Sequence, residues 1–195
     1  MRVLVVYSHP VATSFTAAVH REVLAGLAAA GHQVRDLDLY GVDFQPIMDA
    51  AERLDYHDLA RNQARVADHI DHVLWAEALV FVYPTWWYGL PSMLHGWLER
   101  VWVPGVAFDL PAGNQPIRPG MTHIRKLAGV TSYGSPWWWI KVVGDPGRRV
   151  LTRGIKAICH RRCATLWLGH YRMDGSTPES RARHLKRVRR AFERF

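Results

Sequence analysis

Residues 78–91 read Ala78-Leu79-Val80-Phe81-Val82-Tyr83-Pro84-Thr85-Trp86-Trp87-Tyr88-Gly89-Leu90-Pro91. Ala78 to Tyr83 is an unbroken apolar run of strand length, the pattern of a strand buried on both faces. A helix follows Pro91, with Leu94, Leu98, Val101 and Trp102 on one face. Between strand and helix lies a loop with three adjacent aromatics, Trp86, Trp87 and Tyr88. Consecutive side chains of this kind cannot all point into one core.

The same alternation extends in both directions. Residues 2–7 are a short β-branched run that reads as another strand covered on both faces. Thr13 or Ser14 can cap a helix over residues 15–30, whose apolar positions Phe15, Val19, Val23, Leu24 and Leu27 keep helical spacing. Gly31 ends it. Residues 34–39 alternate apolar and polar, as an edge strand does. Residues 41–62 are irregular, and residues 64–77 read as a helix carrying Val66, Ile70, Val73 and Leu74. Further strands are expected at 127–132 and 163–168, a helix at 149–160, and a basic helix from Pro178 to about Glu193. Five strands separated by helices predict an α/β fold, a doubly wound parallel sheet with helices on both faces. In such sheets ligands sit beyond the carboxyl ends of the strands, at the switch point. That selects three loops, at residues 8–15, 84–90 and 133–139.

The length of 195 residues suits one domain spanning 1–195, and a composition 49% hydrophobic supports a sizeable core. No apolar run reaches the roughly 18 residues of a membrane span. The start is too short for a signal peptide, so the cytoplasm is the expected compartment. Two cysteines cannot organise a disulfide scaffold. Cys159-His160-x-x-Cys163 lacks the second pair that a structural zinc would need, so both are read as core thiols and no metal is expected. His57, His69 and His72 are read as surface residues. From Arg148 onward, 14 Lys and Arg stand against Asp174, Glu179 and Glu193, an excess larger than the net charge of +8. The last helix carries Arg181, Arg183, Lys186, Arg187, Arg189, Arg190 and Arg194 around its circumference. They are either a solvated end or, at Arg187 or Arg190, neighbours of a cofactor phosphate or an acidic partner. No nucleic-acid recognition motif accompanies the charge, and phosphate contacts alone would give only salt-sensitive affinity, so nucleic acid is not an expected partner.

Each loop has a chemical reading and a plainer one. The first joins a buried strand to a helix N-terminus, where free backbone N–H groups and the helix dipole favour a phosphate. Thr13, Ser14 and His9 add side-chain donors; alternatively Ser14 merely caps the helix. Neither Gly-x-Gly-x-x-Gly nor a Walker lysine occurs there, which disfavours the dinucleotide fingerprint and the P-loop. The aromatics of the second loop would suit a planar ring ligand or a subunit interface. In the third loop Gly134 permits close backbone approach. The hydroxyls of Thr131, Ser132 and Tyr133 could meet a ligand's polar edge. Trp137-Trp138-Trp139 would form a flat wall or pack against the helix at 149–160.

Three pieces together resemble the NAD(P)H:quinone oxidoreductase family. They are Ser8-His9-Pro10 with Thr13-Ser14-Phe15, then Pro84-x-Trp86-Trp87-Tyr88-Gly89-x-Pro91, and then Gly96-Trp97-x-Glu99-Arg100-Val101. Weaker similarity runs through Asp38-Leu39-Tyr40, Phe44-x-Pro46 and residues 131–134, so most of residues 1–147 is covered. The family comprises flavodoxin-like flavoproteins, among them DT-diaphorase-like enzymes and the ancillary subunits of bacterial potassium-efflux systems. The resemblance implies a five-stranded sheet in the order 2-1-3-4-5. It also implies a bound flavin, FAD or alternatively FMN, reduced by NAD(P)H and oxidised by a quinone-like acceptor through two-electron hydride transfer. His9, Thr13, Ser14 and Phe15 would surround the flavin phosphates. Pro84, Thr85, Trp86, Trp87 and Tyr88 would line the isoalloxazine, and Thr131, Ser132, Tyr133 and Gly134 would close its polar edge. Family members are typically homodimers with the site at the subunit junction. The alternative role implied is a flavin-bearing regulatory subunit of a membrane transporter, which would meet the membrane only through that partner.

One departure stands out. DT-diaphorase-like members carry a Tyr and a His after their third loop that relay charge during hydride transfer. Here a tryptophan stands at the Tyr place and Val143 or its neighbour at the His place, so no catalytic residue is assigned. Lys141 is a candidate to stabilise negative charge near the flavin.

Overall fold

A computed structural model describes residues 1–111 and 116–195. Its strands are β1 (Arg2–Tyr7), β2 (Gln33–Asp38), β3 (Ala78–Pro84), a two-residue pair β4 (Phe108–Asp109) and β5 (Arg118–Pro119), then β6 (Lys126–Ser132) and β7 (Ala164–His170). Among the described residues the main sheet has five strands, all parallel, in the order β2-β1-β3-β6-β7. With the small antiparallel β4–β5 insertion set aside, this is the doubly wound order 2-1-3-4-5. β2 lies at an edge, as its alternating sequence predicts.

The helices are α1 (Phe15–Ala29), α2 (Ala50–Asp55), α3 (Ala67–Trp75), α4 (Ser92–Val101), α5 (Trp137–Val143), α6 (Pro146–Arg149) and α7 (Pro178–Phe192). Successive strand residues face opposite sides, so the sheet divides its apolar residues between two cores. Leu4, Val6, Leu79, Phe81 and Tyr83 meet α3 and α4 through Ile70, Val73, Leu94 and Trp97. Val3, Val5, Val80, Val82 and Val130 meet α1 and α7 through Val19, Val23, Leu27, Val188 and Phe192. The seam between α1 and α7 is tight: a Cβ at Gly26 would lie 2.7 Å from Cβ of Phe192. At Gly96 in α4 a Cβ would collide with the Pro46 carbonyl, so only glycine lets the residue 41–49 segment lie against α4. That segment is further held by a buried ion pair, Arg100 Nε to Glu52 Oε1 at 2.8 Å, and by a hydrogen bond from Arg100 to the Gln45 carbonyl.

Four local features differ from the sequence reading. The irregular region 41–62 contains α2, capped by the Asp49 side chain, which accepts from the Glu52 amide. The helix expected over 149–160 starts earlier, at Pro146, and is wound as a π-helix over Val150–Ile155. Trp137, Trp138 and Trp139 are not a loop but the first turn of α5. His69 is half-buried rather than on the surface, with its Nδ1 accepting from Trp97 Nε1 at 3.3 Å. Cys159 and Cys163 are buried and free, as core thiols. Among the described residues no helix is long and apolar enough to cross a membrane.

Candidate functional site

The carboxyl ends of β1, β3 and β6 bring the three loops together. Ser14 is the N-cap of α1, its Oγ accepting from the Ala17 amide at 3.1 Å. The cap fixes the helix start, and the amides of the first turn then lack intrahelical acceptors. His9 is half-buried and its Nδ1 accepts from the Val11 amide at 3.0 Å. Burial lowers its pKa, so the ring is neutral at ordinary pH. Its ring centroid lies 6.4 Å from that of Trp86, which joins the first loop to the second. Thr13 is exposed on the same turn, whereas the Phe15 ring packs 5.1 Å from His170 and 5.9 Å from His184. Phe15 therefore reaches the loop through its backbone, not its ring.

The second loop is a tight turn. The Gly89 amide donates to the Trp86 carbonyl at 3.0 Å, and Trp87 and Tyr88 both adopt left-handed backbone, at φ 48° and 61°. Such positions cost bulky residues on the order of 1 kcal/mol or more each, and the surroundings hold them. The Gly147 amide donates to the Tyr88 carbonyl at 3.3 Å, and Trp139 Nε1 donates to the Tyr88 hydroxyl at 3.0 Å. The turn leaves Trp87 95% exposed. Pro84 is buried at the end of β3.

Thr85 ties the second loop to the third. Its amide donates to the Ser132 carbonyl at 2.9 Å, and its hydroxyl is 2.9 Å from that of Thr131. Thr131 is buried beneath this contact, so its hydroxyl braces Thr85. Tyr133 is buried, its amide donating to the His170 carbonyl at 2.7 Å and its ring stacked on Tyr171 at 4.8 Å. Its hydroxyl donates to Asp145 Oδ1 at 2.8 Å. Burial and the Asp145 carboxylate hold the Tyr133 phenol well above its ordinary range, so it stays protonated.

A cavity of about 250 Å³ lies between the second and third loops, lined by Thr85, Trp87, Tyr88, Tyr133, Gly134, Ser135 and Ile140. Five of the residues expected to line a ring ligand or close its edge, Thr85, Trp87, Tyr88, Tyr133 and Gly134, are thus in the wall. Pro84, Thr131 and Ser132 support the wall from beneath. Trp86 stands beside it, against His9. The walls suit a flat, amphipathic ring: aromatic side chains, an exposed glycine, hydroxyls, and a helix N-terminus one loop away for a phosphate. Ser8 Oγ, wholly buried at the start of the first loop, has no hydrogen-bond partner among the described residues. The site therefore fits a flavin in shape and donor chemistry. Among the described residues no three His, Cys, Asp or Glu side chains stand together as metal ligands.

Ile140 and Asp145 lie beyond the three expected loops, and Ser135, within the third, was assigned no individual role. Asp145 is buried, with φ 50°, and takes Tyr133 on one oxygen and Lys141 Nζ at 3.3 Å on the other. The Lys141 charge thus reaches the cavity only through Asp145. Val143, at the place of the family histidine, is exposed. Arg187, expected near a phosphate or a partner, donates to the Gly169 carbonyl at 2.9 Å.

Comparison with known proteins agrees with this geometry. An NAD(P)H oxidoreductase of Escherichia coli, YcaK, is 33% identical over 108 residues, covering 55% of this chain and 55% of that protein. The chain spans about half the length of the curated relatives it matches. Among solved structures, Smu.1420 of Streptococcus mutans superposes with a TM-score of 0.86 at 27% identity, covering 100% of both chains. An NAD(P)H:quinone oxidoreductase of Methanothermobacter marburgensis superposes with a TM-score of 0.81 at 26% identity, covering 99% of this chain and 96% of that one. With the Flavodoxin_2 profile, described as flavodoxin-like fold, matching residues 1–195, the chain belongs to that family.

Proposed function

We propose that the chain is a flavin-dependent NAD(P)H oxidoreductase that reduces a quinone-like electrophile by two electrons. The observation that carries this reading is the cavity between the second and third loops, walled by Thr85, Trp87, Tyr88, Tyr133 and Gly134, with the first loop joined to the second through His9 and Trp86. A bound flavin would supply the hydride chemistry, while the protein supplies binding, orientation and electrostatics. His9, Thr13, Ser14 and the backbone at Phe15 would hold its phosphate end. Thr85, Trp86, Trp87 and Tyr88, on the platform of Pro84, would hold the ring. Tyr133 and Gly134 would meet its polar edge, with Thr131 and Ser132 fixing their position. FAD is the cofactor we favour over FMN, because His9-Pro10 and Thr13-Ser14-Phe15 resemble the FAD-using quinone reductases.

With Val143 exposed where the family has its histidine, charge stands near the cavity wall at Asp145, bonded to Tyr133, and at Asp174, whose carboxylate lies against Gly134. Asp145 holds the Tyr133 phenol protonated, and the phenol oxygen keeps a lone pair for a ligand donor. The exposed side chains of Trp87 at the cavity and of Trp137, Trp138 and Val142 on α5 support a homodimer whose site lies at the subunit junction. Two buried, free thiols suit a reducing compartment, the cytoplasm.

The test is the visible spectrum of the purified chain reconstituted with FAD or FMN, before and after anaerobic NADPH or NADH. Bands near roughly 370 and 450 nm that bleach on nucleotide addition are expected. A bound flavin that stays oxidised with both nucleotides would point instead to the regulatory-subunit role. No flavin binding would remove the reading altogether.

A further inference from the structure

Asp145 also lines a second cleft, of about 370 Å³. Lys141, Arg148, Arg149 and Arg153 line it, with Thr152 and the Asp145 carboxylate. Its charge is unbalanced. Asp145 is already engaged by Tyr133 and Lys141. Among the described residues no carboxylate stands within ion-pair distance of Arg148, Arg149 or Arg153. Arg35, Arg65, Arg100 and Arg189, by contrast, each have a carboxylate partner, in Asp71, Asp49, Glu52 and Glu22.

The backbone is shaped to gather these cations. Gly144 and Asp145 both have left-handed φ, at 93° and 50°, and so turn the chain sharply from α5 into α6. The Arg149 guanidinium folds back over that turn, its Nη1 3.3 Å from where a Cβ at Gly144 would be. The π-wound segment Val150–Ile155 then carries Thr152 and Arg153 onto the same cleft. π-turns inside helices are rare and concentrate at functional sites. Thr152 Oγ1 donates to the Arg148 carbonyl at 2.8 Å.

Such a cleft takes a compact dianion. A phosphate monoester carries about −1.5 to −2 charge and three acceptor oxygens, which guanidinium forks meet two at a time. Asp145 lines this cleft and accepts from Tyr133, which lines the loop cavity, so the two spaces adjoin through that hydrogen bond and one extended ligand can span them. NADPH and NADH differ by one phosphate monoester. We propose that Arg149 and Arg153, with Arg148 and Lys141, form the 2′-phosphate subsite of the nucleotide donor, making the chain selective for NADPH. This rests on the oxidoreductase reading above.

The test is equilibrium calorimetry of the purified chain with 2′,5′-ADP and with 5′-ADP, so that no turnover is needed. The expected result is that 2′,5′-ADP binds at least about tenfold more tightly. R149Q/R153Q, both solvent-facing changes, should remove that advantage, a loss of about tenfold or more in Kd. R183Q/K186Q, which deletes the same charge from α7, should keep it. NADPH should then exceed NADH in kcat/KM, and the difference should vanish in R149Q/R153Q. Equal binding of the two probes would overturn the proposal, since a pyrophosphate or the partner's own carboxylates would then account for the cations. Equal losses in the two double variants would also overturn it, as a general charge effect. An Arg149-dependent affinity shown only by a sulfonated anthraquinone would assign the cleft to the acceptor instead. Selective 2′,5′-ADP binding by a chain that takes no flavin would uphold the cleft and refute the oxidoreductase reading. Reduction of a bound flavin at equal rates by NADPH and NADH, with equal probe binding, would refute the cleft alone.

Discussion

Tryptophan plays opposite parts in two regions of this molecule. Beneath α4, Trp97 and Trp102 are buried edge-to-face with each other and with Phe81, with ring centroids 6.2–6.5 Å apart. At the carboxyl rim of the sheet, Trp86, Trp87, Trp137, Trp138 and Trp139 are all exposed. The first group fills volume that nothing else can fill. The second is presented to solvent, Trp87 from a turn with left-handed backbone and Trp137, Trp138 and Trp139 from the first turn of α5. The difference teaches that the rim aromatics are kept for what they meet, and the core aromatics for what they exclude.

Cutting into the core should have the largest effect. Trp97→Ala should cost about 3–5 kcal/mol by opening a cavity next to Phe81 and Trp102, measured by urea denaturation. A loss under about 1 kcal/mol would break the comparison. His170 and His184 test its boundary, because they lie at the rim yet are buried as deeply as the core. Burial, Arg187 and His170 push the His184 imidazole down to about 3, against about 6.5 in an unfolded chain. Below pH 6.5 the unfolded chain therefore takes up a proton that the native one refuses. Stability should be full above pH 6.5 and fall by about 1.4 kcal/mol per pH unit below it, down to about pH 3. His170 is shifted the same way and adds to the slope. His184→Gln should flatten that slope, and an unchanged slope would remove His184 from the account.

Tyr133→Phe should cost about 1–3 kcal/mol by leaving the buried Asp145 carboxylate without its phenol donor. A cost near zero, by thermal melting, would mean that water replaces the phenol. The smallest stability effect belongs to Trp87→Ala, expected within about 0.5 kcal/mol of the parent. The same change should weaken flavin retention by about two- to tenfold, the worth of one aromatic contact. Loss of stability without loss of flavin would turn the comparison around and make Trp87 a packing residue.

Much of the frame was legible in the sequence. The β-branched runs of Arg2–Tyr7 and Ala78–Pro84 announce strands covered on both faces, and such strands admit few arrangements. Loop positions follow from strand ends, so Thr85, Trp87, Tyr88, Tyr133 and Gly134 could be placed together before any coordinates. The misses share a cause. Trp137-Trp138-Trp139 has no helical periodicity, because all three are exposed, so α5 is invisible to a test of apolar spacing. Asp145 meets Tyr133 only because two successive left-handed residues reverse the chain, and nothing in Val143-Gly144-Asp145-Pro146 states that a carboxylate will turn inward. The π-wound turn likewise has no signature in Val150–Ile155, although it helps to gather the arginines.

The seam at Gly26 has a consequence for synthesis. α1 leaves the ribosome before α7, and its glycine groove fits Phe192 of that helix. That partner is translated after all five strands of the sheet. Until then α1 has its apolar stripe open on one side, and Val188 and Phe192 are not yet there to cover the sheet. The nascent chain therefore carries this half-assembled face from the emergence of α1 until α7 follows.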